Sequence, residues 1–411
     1  RAMLDQPLVA AAVDEVDALV QPLAGYSLRA ELLGDNGEGR YARTEIAQPA
    51  LFALQVAVTQ VLAAEGIHPV AVIGHSVGEV AAAWASGALS LEDATQVIYH
   101  RSRLQGLTRG TGKMTAVGLS GEATAQLIAE LKLDGRLVVA GENSARGATV
   151  AGEVDALALL EAALEERQVF ARRLDLDYAF HSPAMDPIKQ AVIDDLAHIR
   201  PQATKIPFYS TVVGGQLNGE RLDSQYWWQN IRFPVLFQGA LAALVRNGLN
   251  LFVEVGPHAI LRSYVSDVLA ECEQPGQVIG TLKRNDHSPL LLERTVARLQ
   301  IAAVEPQWQA RFPVAGRPLR LPNYAWQRDH FSLPVSAEAH GPLRHERVHP
   351  LLGYPVTDQA LTWENRLDTQ QYPTLADHKV GESVLFPGAG FTELALEVAQ
   401  LNQPGEFVDI V

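Results

Sequence analysis

The sequence predicts an α/β fold: a core on a parallel sheet, with a smaller sheet-and-helix unit inserted into it. Three observations predict it. Helical and strand patterns alternate as far as Lys113, the pattern of βα units. From Met114 the order becomes βαββαβ, a ferredoxin-like unit. Between the two lies Gly74-His75-Ser76-Val77-Gly78, after the apolar run Val70–Ile73 and before the small-residue segment Glu79–Gly87. A strand, a sharp turn and a helix put a serine hydroxyl at the tip of a bend, in front of helix N–H groups. With 32 glycines in 411 residues, G-x-S-x-G arises by chance in roughly one such chain in ten. Its place between strand and helix makes chance a poorer explanation.

The elements follow in order. Residues 7–24 form a helix. Gln48-Pro49 opens a longer one, with Leu51, Leu54, Val58 and Leu62 at helical spacing and Pro49 in its first turn. Strand Val70–Ile73 and the serine turn come next. Ser90 with Asp93 caps a helix over 91–106. In the inserted unit, Met114–Leu119 is a strand and Glu122–Lys132 a helix. Arg136–Gly141 and Ala148–Gly152 are strands joined by the polar turn Glu142–Gly147. Val154–Arg167 is a helix packing Leu157, Leu160, Ala163 and Leu164 on its own small sheet, and Val169–Leu176 is a strand. After residue 190 the alternation resumes, with strands at Pro207–Ser210 and Leu251–Val255. Helix Pro289–Ala303 leads out. Residues 305–342 are rich in Pro, Arg and aromatics, which predicts a packed linker.

A length of 411 residues suits two or three domains. No run approaches 18 consecutive apolar residues, so no membrane span is expected. Residues Arg1–Gln6 do not lead into a signal-peptide core. The single cysteine, Cys272, excludes an internal disulfide, argues against a cysteine metal site and fits a cytoplasmic setting. A net charge of −14 argues against nucleic acid and anionic membrane as partners. Arginines near the serine therefore matter more than the total charge.

A serine nucleophile needs a base. His181, in Tyr178-Ala179-Phe180-His181, ends the inserted unit where the chain returns to the main domain, at a cleft between subdomains. On position alone it reads either as that base or as a structural histidine. His75 adjoins the serine but points away at a tight turn and reads as structural. His258, in Gly256-Pro257-His258, is a weaker candidate. Arg101, on the helix capped by Ser90, reads as a bidentate clamp for a carboxylate or as a solvated helix arginine. Arg103 points to another face and reads as solvated.

Taken together, Gly74–Glu79, Arg101, Tyr178–His181 and Gly256-Pro257-His258 resemble the acyltransferase domain of a modular type I polyketide synthase, in the malonyl-CoA:acyl-carrier-protein transacylase family. Gln48–Gln55 is similar to its helix before the serine, and Leu321–Arg328 to the linker after it. The resemblance runs from residue 1 to about 335 and implies an α/β-hydrolase-like core with a ferredoxin-like insert. It divides the chain into a large subdomain over 1–113 and 190–285, the insert over 114–189, and a linker over 286–342. It makes Ser76 the nucleophile and His181 its base, in a dyad oriented by a backbone carbonyl, so Asp175, Asp177 and Asp186 are not forced into a triad. Arg101 would hold the free carboxylate of a malonyl-type extender, with Gln48 among the substrate-binding residues and the Val77 N–H as an oxyanion donor. The family's second donor, a glutamine in a Gly-Gln-Gly turn, is not in this chain. The expectation is a chain lacking its first strand and half its oxyanion hole.

Tyr178 and Phe180 bear on extender choice. In the family, Tyr-Ala-Ser-His accompanies methylmalonyl and His-Ala-Phe-His malonyl; this motif is a hybrid. Phe180 fills the space of an α-methyl, and overpacking costs about 1–3 kcal/mol. With Val77, this favours malonyl. Residues 343–411 resemble the start of a polyketide synthase dehydratase. His349–Gly353 is similar to its opening and Asp377–Gly388 to its His motif, with a helix over 390–400 as in a hot-dog fold. His378 would take the α-proton of a β-hydroxyacyl thioester. The family's Gly four residues after the His is Glu382 here, with Gly381 one earlier. A segment this short is not expected to close the fold or dehydrate.

The implied partners are acyl carrier protein, a neighbouring ketosynthase, the remaining dehydratase and a second copy in a homodimeric module. No cofactor or metal is expected; phosphopantetheine arrives on the carrier. A thioesterase or esterase on the same elbow, and a docking module with an impaired site, are the competing readings.

Overall fold

The computed structural model describes residues 2–34, 40–284, 286, 288, 290–302, 314, 316, 317, 319–327, 346–356 and 359–405. They form two units, Arg1–Gly316 and Arg317–Val411. In the first, helix α1 (Pro7–Ala24) has proline at its start and ends at Gly25, whose φ of +72° closes the helix in the left-handed region. After the short α2 (Leu28–Leu33), helix α3 spans Thr44–Ala64. It begins four residues before the expected Gln48, so Pro49 lies inside it. Proline removes the N–H that would bond the Glu45 carbonyl. The Tyr26 hydroxyl donates to that carbonyl instead, at 2.9 Å, and so compensates the missing bond. By length and composition α3 alone, among the described residues, could cross a membrane; 61% of its apolar window is buried in the protein. Phe52, Ala53 and Val56 pack into one core with Val80, Ile98 and Trp227, and Ala57, Val58 and Leu62 into a second with Val13 and Val296.

Strand β1 (Val72–Ile73) is shorter than expected, with Val70 exposed. It leads through the serine turn to α4 (Gly78–Ala85) and then to α5 (Leu91–Gly106). Helix α5 is capped as read: Ser90 Oγ accepts from the Asp93 N–H at 3.0 Å.

The insert runs β2 (Lys113–Val117), α6 (Gly121–Glu130), β3 (Leu137–Ser144), β4 (Gly147–Gly152), α7 (Val154–Glu166) and β5 (Ala171–Arg173). The β3–β4 turn is tighter than expected, because β3 continues to Ser144. Four antiparallel strands lie in the order β5-β2-β4-β3. Leu157, Leu160 and Leu164 are fully buried beneath them and Ala163 is half-buried. Burying a leucine stabilises by about 1.5–3 kcal/mol, and three on one face fix α7 to its sheet.

The chain then returns to the large core. Met185 and Ile188 already pack there, ahead of α8 (Lys189–Asp195). Strand β6 (Phe208–Ser210) pairs in parallel with β1 and antiparallel with β7 (Gly215–Leu217). Helix α9 (Ser224–Arg232) precedes β8 (Val235–Leu236), which adds to the insert's sheet in parallel with β3. Helix α10 (Phe237–Arg246), β9 (Leu251–Glu254), α11 (Arg262–Glu271), β10 (Gln277–Gly280) and α12 (Leu291–Ile301) complete the unit, with β9 and β10 parallel. The β3–β4 turn docks on α11: Asp267 accepts from Arg146 at 2.7 Å and from Ser144 at 2.9 Å. Together with β8, these bonds fix the insert relative to the serine turn.

In the second unit, Leu319, Leu321, Tyr324 and Trp326 are exposed. These described residues depart from the packing expected of the linker, Tyr324 and Trp326 meeting each other edge to face at 5.5 Å; the rest of it, with Trp308, Phe312 and Phe331, lies outside the described residues. Two short hairpins follow, β11 (Tyr354–Pro355) with β12 (Trp363–Glu364), and β13 (Lys379–Val380) with β14 (Ser383–Val384). Gly381, with φ +64°, takes the first position of the two-residue turn in the second hairpin, as a type II′ turn requires. The displaced glycine thus closes a regular turn. Helix α13 (Gly388–Asn402) covers the expected 390–400 and buries none of its residues.

Candidate active site

The serine sits where strand geometry stops. Ser76 has φ +52°, a sparsely populated conformation for a residue with a side chain. The turn depends on Gly74: a Cβ there would lie 2.2 Å from the Glu79 nitrogen, so only glycine lets β1 and α4 approach. The Val77 N–H has no acceptor among the described residues.

His181 also has a left-handed backbone, φ +59°, at the point where the insert returns to the core. Its Nε2 lies 2.7 Å from Ser76 Oγ. Its Nδ1–H donates to the Phe233 carbonyl at 2.9 Å, which leaves Nε2 free to accept the serine proton. That carbonyl is available because Pro234 ends α9 and holds Phe233 extended, at φ −90° and ψ 162°. Burial, and secondarily the charge of Arg101, push His181 down to about 3. The ring is therefore neutral at neutral pH.

Arg101 is 1% exposed, which removes the solvated reading. Its Nη2 donates to Ser76 Oγ at 3.0 Å. Its Nη1 donates to Gln48 Oε1 at 2.5 Å and Gln105 Oε1 at 2.8 Å, and its Nε to Asn230 Oδ1 at 3.1 Å. Burial pushes it down to about 9, against the attraction of Glu79, so it stays charged at neutral pH. Only the Nη2 edge faces the serine with a hydrogen to spare. A two-nitrogen grip through Nη1 would displace Gln48 or Gln105, and one through Nε would displace Asn230.

Glu79 follows the elbow by one helical step and is fully buried. It accepts from the Thr211 N–H and hydroxyl, from Tyr226 OH at 2.6 Å and from Asn230 Nδ2 at 2.8 Å. Burial raises its pKa, and these donors oppose the rise.

The structure brings Ser76, Val77, His181, Arg101 and Gln48 together. Tyr178 and Phe180 stack at 4.9 Å beside them, Tyr178 buried and Phe180 half-buried. His75 turns away: its Nε2 meets Asn143 Oδ1 of β3 at 2.8 Å. His258 is exposed. Arg103 is not merely solvated but pairs with Asp195 at 2.5 Å. Asp175 is exposed, Asp177 lies near Arg109 and Lys113, and Asp186 pairs with Arg232. His378 belongs to the second unit, where its Nδ1–H donates to the Leu385 carbonyl at 2.9 Å and its ring is exposed. No cluster of three metal-ligating side chains occurs among the described residues. Sequence reasoning missed Asn230, Gln105 and Glu79. Glu79 alone left a trace, as an acid heading the otherwise apolar run Val80–Ala85.

Comparison with known proteins places this geometry. Residues 1–306 match the acyl transferase domain family, and residues 349–410 the polyketide synthase dehydratase domain. Polyketide synthase GfsB of Streptomyces halstedii is 36% identical over 400 residues, covering 94% of this chain and 7% of that protein. Erythronolide synthase EryA2 of Saccharopolyspora erythraea is 33% identical over 387 residues, covering 93% of this chain and 11% of its own length. The chain thus spans a small part of these relatives. The acyltransferase domain from module 8 of the salinomycin polyketide synthase superposes with a TM-score of 0.72 at 34% identity, covering 75% of this chain and 73% of that one. A loading acyltransferase from the avermectin synthase gives 0.69 at 32% identity, over 73% and 95%. The strand–elbow–helix core, the four-stranded insert and the serine–histidine pair stand inside the matched region, and the chain belongs to the acyl transferase domain family of polyketide synthases, continuing into the start of a dehydratase domain.

Proposed function

We propose that this chain loads a malonyl-type extender unit from CoA onto the phosphopantetheine thiol of an acyl carrier protein, through an acyl ester on Ser76. The observation that carries this reading is the convergence of His181 Nε2, at 2.7 Å, and Arg101 Nη2, at 3.0 Å, on one serine oxygen. A base alone suits any esterase. A buried cation beside the nucleophile suits an acyl group with a free carboxylate.

Ser76 Oγ attacks the thioester carbon as its proton passes to His181 Nε2. The Phe233 carbonyl steadies the imidazolium through Nδ1–H. The Val77 N–H faces the developing oxyanion. The C–S bond breaks and the CoA sulfur takes the proton from Nε2. In the second half, the carrier thiol gives its proton to His181, its sulfur attacks the Ser76 ester, and the serine oxygen recovers the proton. Splitting one thioester exchange into two ester steps is covalent catalysis. A carboxylate at Arg101 offsets the charge that depresses His181, so the base strengthens as the substrate arrives.

Phe180, stacked on Tyr178 next to His181, supports malonyl over methylmalonyl, because the ring takes the volume an α-methyl needs. The setting in this reading is cytoplasmic, with neighbouring synthase domains and a second module copy as partners. Within the dehydratase segment, His378 Nε2 is the base for the α-proton. Intact mass after incubation with malonyl-CoA tests the main reading: an adduct on Ser76 is expected, and its absence defeats the proposal. Competition between malonyl-CoA and methylmalonyl-CoA, read by the two adduct masses, tests the extender choice.

A further inference from the structure

We propose that Asn230 is a positioning residue that aims the Arg101 guanidinium and thereby sets the preference for carboxylated acyl groups. This rests on the malonyl-transfer reading for its substrate and on geometry for its mechanism. Asn230 is 2% exposed and uses its whole amide. Its Oδ1 accepts from Arg101 Nε at 3.1 Å. Its Nδ2 donates to the Ser76 carbonyl at 3.2 Å and to Glu79 Oε2 at 2.8 Å. Arginine only donates and the other two partners only accept, so the amide has one orientation.

The neighbouring residues on the chain hold the base. The Ile231 carbonyl accepts the His181 N–H at 3.3 Å and the Phe233 carbonyl accepts Nδ1–H at 2.9 Å. One four-residue stretch at the end of α9 therefore references the nucleophile, the base and the cation. For Arg101 the effect is angular. A planar guanidinium held at Nε by Asn230 and at Nη1 by Gln48 and Gln105 presents only its Nη2 edge to the serine. Without Asn230 the plane turns about Nε, and the edge leaves the place where a carboxylate must sit. A non-carboxylated reagent meets that edge only through its hydrogen bond to Ser76 Oγ, whereas malonate binds it directly.

The test labels Ser76 of the full chain with phenylmethanesulfonyl fluoride and measures protection by free malonate. Asn230→Ala should weaken malonate protection about 10- to 100-fold, the loss of one hydrogen bond to a charged group. Asn230 also touches the Ser76 carbonyl, and Arg101 touches Ser76 Oγ, so the labelling rate without malonate changes too, and protection is read as the malonate concentration that halves each variant's own labelling rate. Asn230→Gln keeps both an acceptor for Arg101 Nε and an N–H donor for the Ser76 carbonyl and Glu79, and should retain more protection than the alanine variant; it also serves if that variant fails to fold. In an Arg101→Ala background, Asn230→Ala should change protection by less than about threefold. The proposal is overturned by unchanged malonate protection in Asn230→Ala, by protection in Asn230→Gln no better than in Asn230→Ala, or by a full effect without Arg101. Absence of a malonyl adduct in the unsubstituted chain would instead defeat the transfer reading, while malonate protection still decides the role of Asn230.

Discussion

His181 and His378 are wired alike and surrounded differently. Each gives its Nδ1–H to a backbone carbonyl, Phe233 or Leu385, at 2.9 Å, and each keeps Nε2 for a proton. His181 is 4% exposed, beside a buried cation and a serine oxygen. His378 is exposed, on a hairpin whose strands are two residues each. Tautomer control is therefore cheap in sequence terms: one carbonyl near one ring supplies it. What distinguishes the two is burial, and burial takes a core. The first unit supplies that core from helices, such as α3, that pack on two sides, whereas the helix of the second unit has half-buried residues such as Leu394 and Val398 but no fully buried one.

The largest effect that would test this contrast is removal of the buried base. His181→Ala should lower acylation of Ser76 roughly 10⁴-fold or more, since a serine without its base keeps only residual catalysis. Stopped-flow or quenched intact-mass kinetics would measure it. A loss below tenfold would mean that Ser76 does not depend on His181, and the buried wiring would have no catalytic meaning.

Next is the cation. Arg101→Ala should cut acylation by malonyl-CoA about 10²-fold, the range for truncating a buried charged partner, while transfer from acetyl-CoA changes far less. The ratio of the two rates is the measurement. Equal losses would favour a plain esterase elbow.

Much of this was legible beforehand, and the pattern of what was not is physical. Helix 7–24, helix 91–106 and the βαββαβ order carry local signals: a proline start, the Ser90 cap, regular leucine spacing. Ser76, His181 and Arg101 belong to motifs with fixed residue types. The start of α3 was misplaced because Pro49 usually marks a first turn, and only the distant Tyr26 hydroxyl makes an interior proline tolerable. The addition of β8 to the insert's sheet is a pairing across 94 residues or so of chain, for which the two residues of β8 give no periodicity. Asn230 and Gln105 look like ordinary polar helix residues. Their roles exist only once α3, α5 and α9 converge on one guanidinium.

The acid limb of the reaction is a smaller effect with a definite sign. His181 is pushed down to about 3, so its neutral, proton-accepting form persists as pH falls well below the usual histidine value of 6.5. Labelling of Ser76 by an uncharged sulfonyl fluoride should therefore change less than about twofold between pH 7 and pH 5. An acid limb near 6.5 would show that His181 is solvated in solution, as His378 is here, and would erase the contrast between them.

The smallest expected effect lies on the exposed helix. Leu396 on α13 is 51% exposed, whereas Leu160 on α7 is 0% exposed. Leu160→Ala removes a side chain from a closed core and should cost about 2–5 kcal/mol. Leu396→Ala removes atoms that already face water, so no cavity forms and little transfer energy is lost; its cost should stay within about 0.5 kcal/mol. Urea unfolding of the full chain, followed by far-UV circular dichroism, measures both. A cost above 1 kcal/mol or so at Leu396 would mean that α13 packs in solution against a surface that covers it. Its exposed Phe391 and Leu401 would then share the same cover, and the second unit would owe its stability to a core like that of the first.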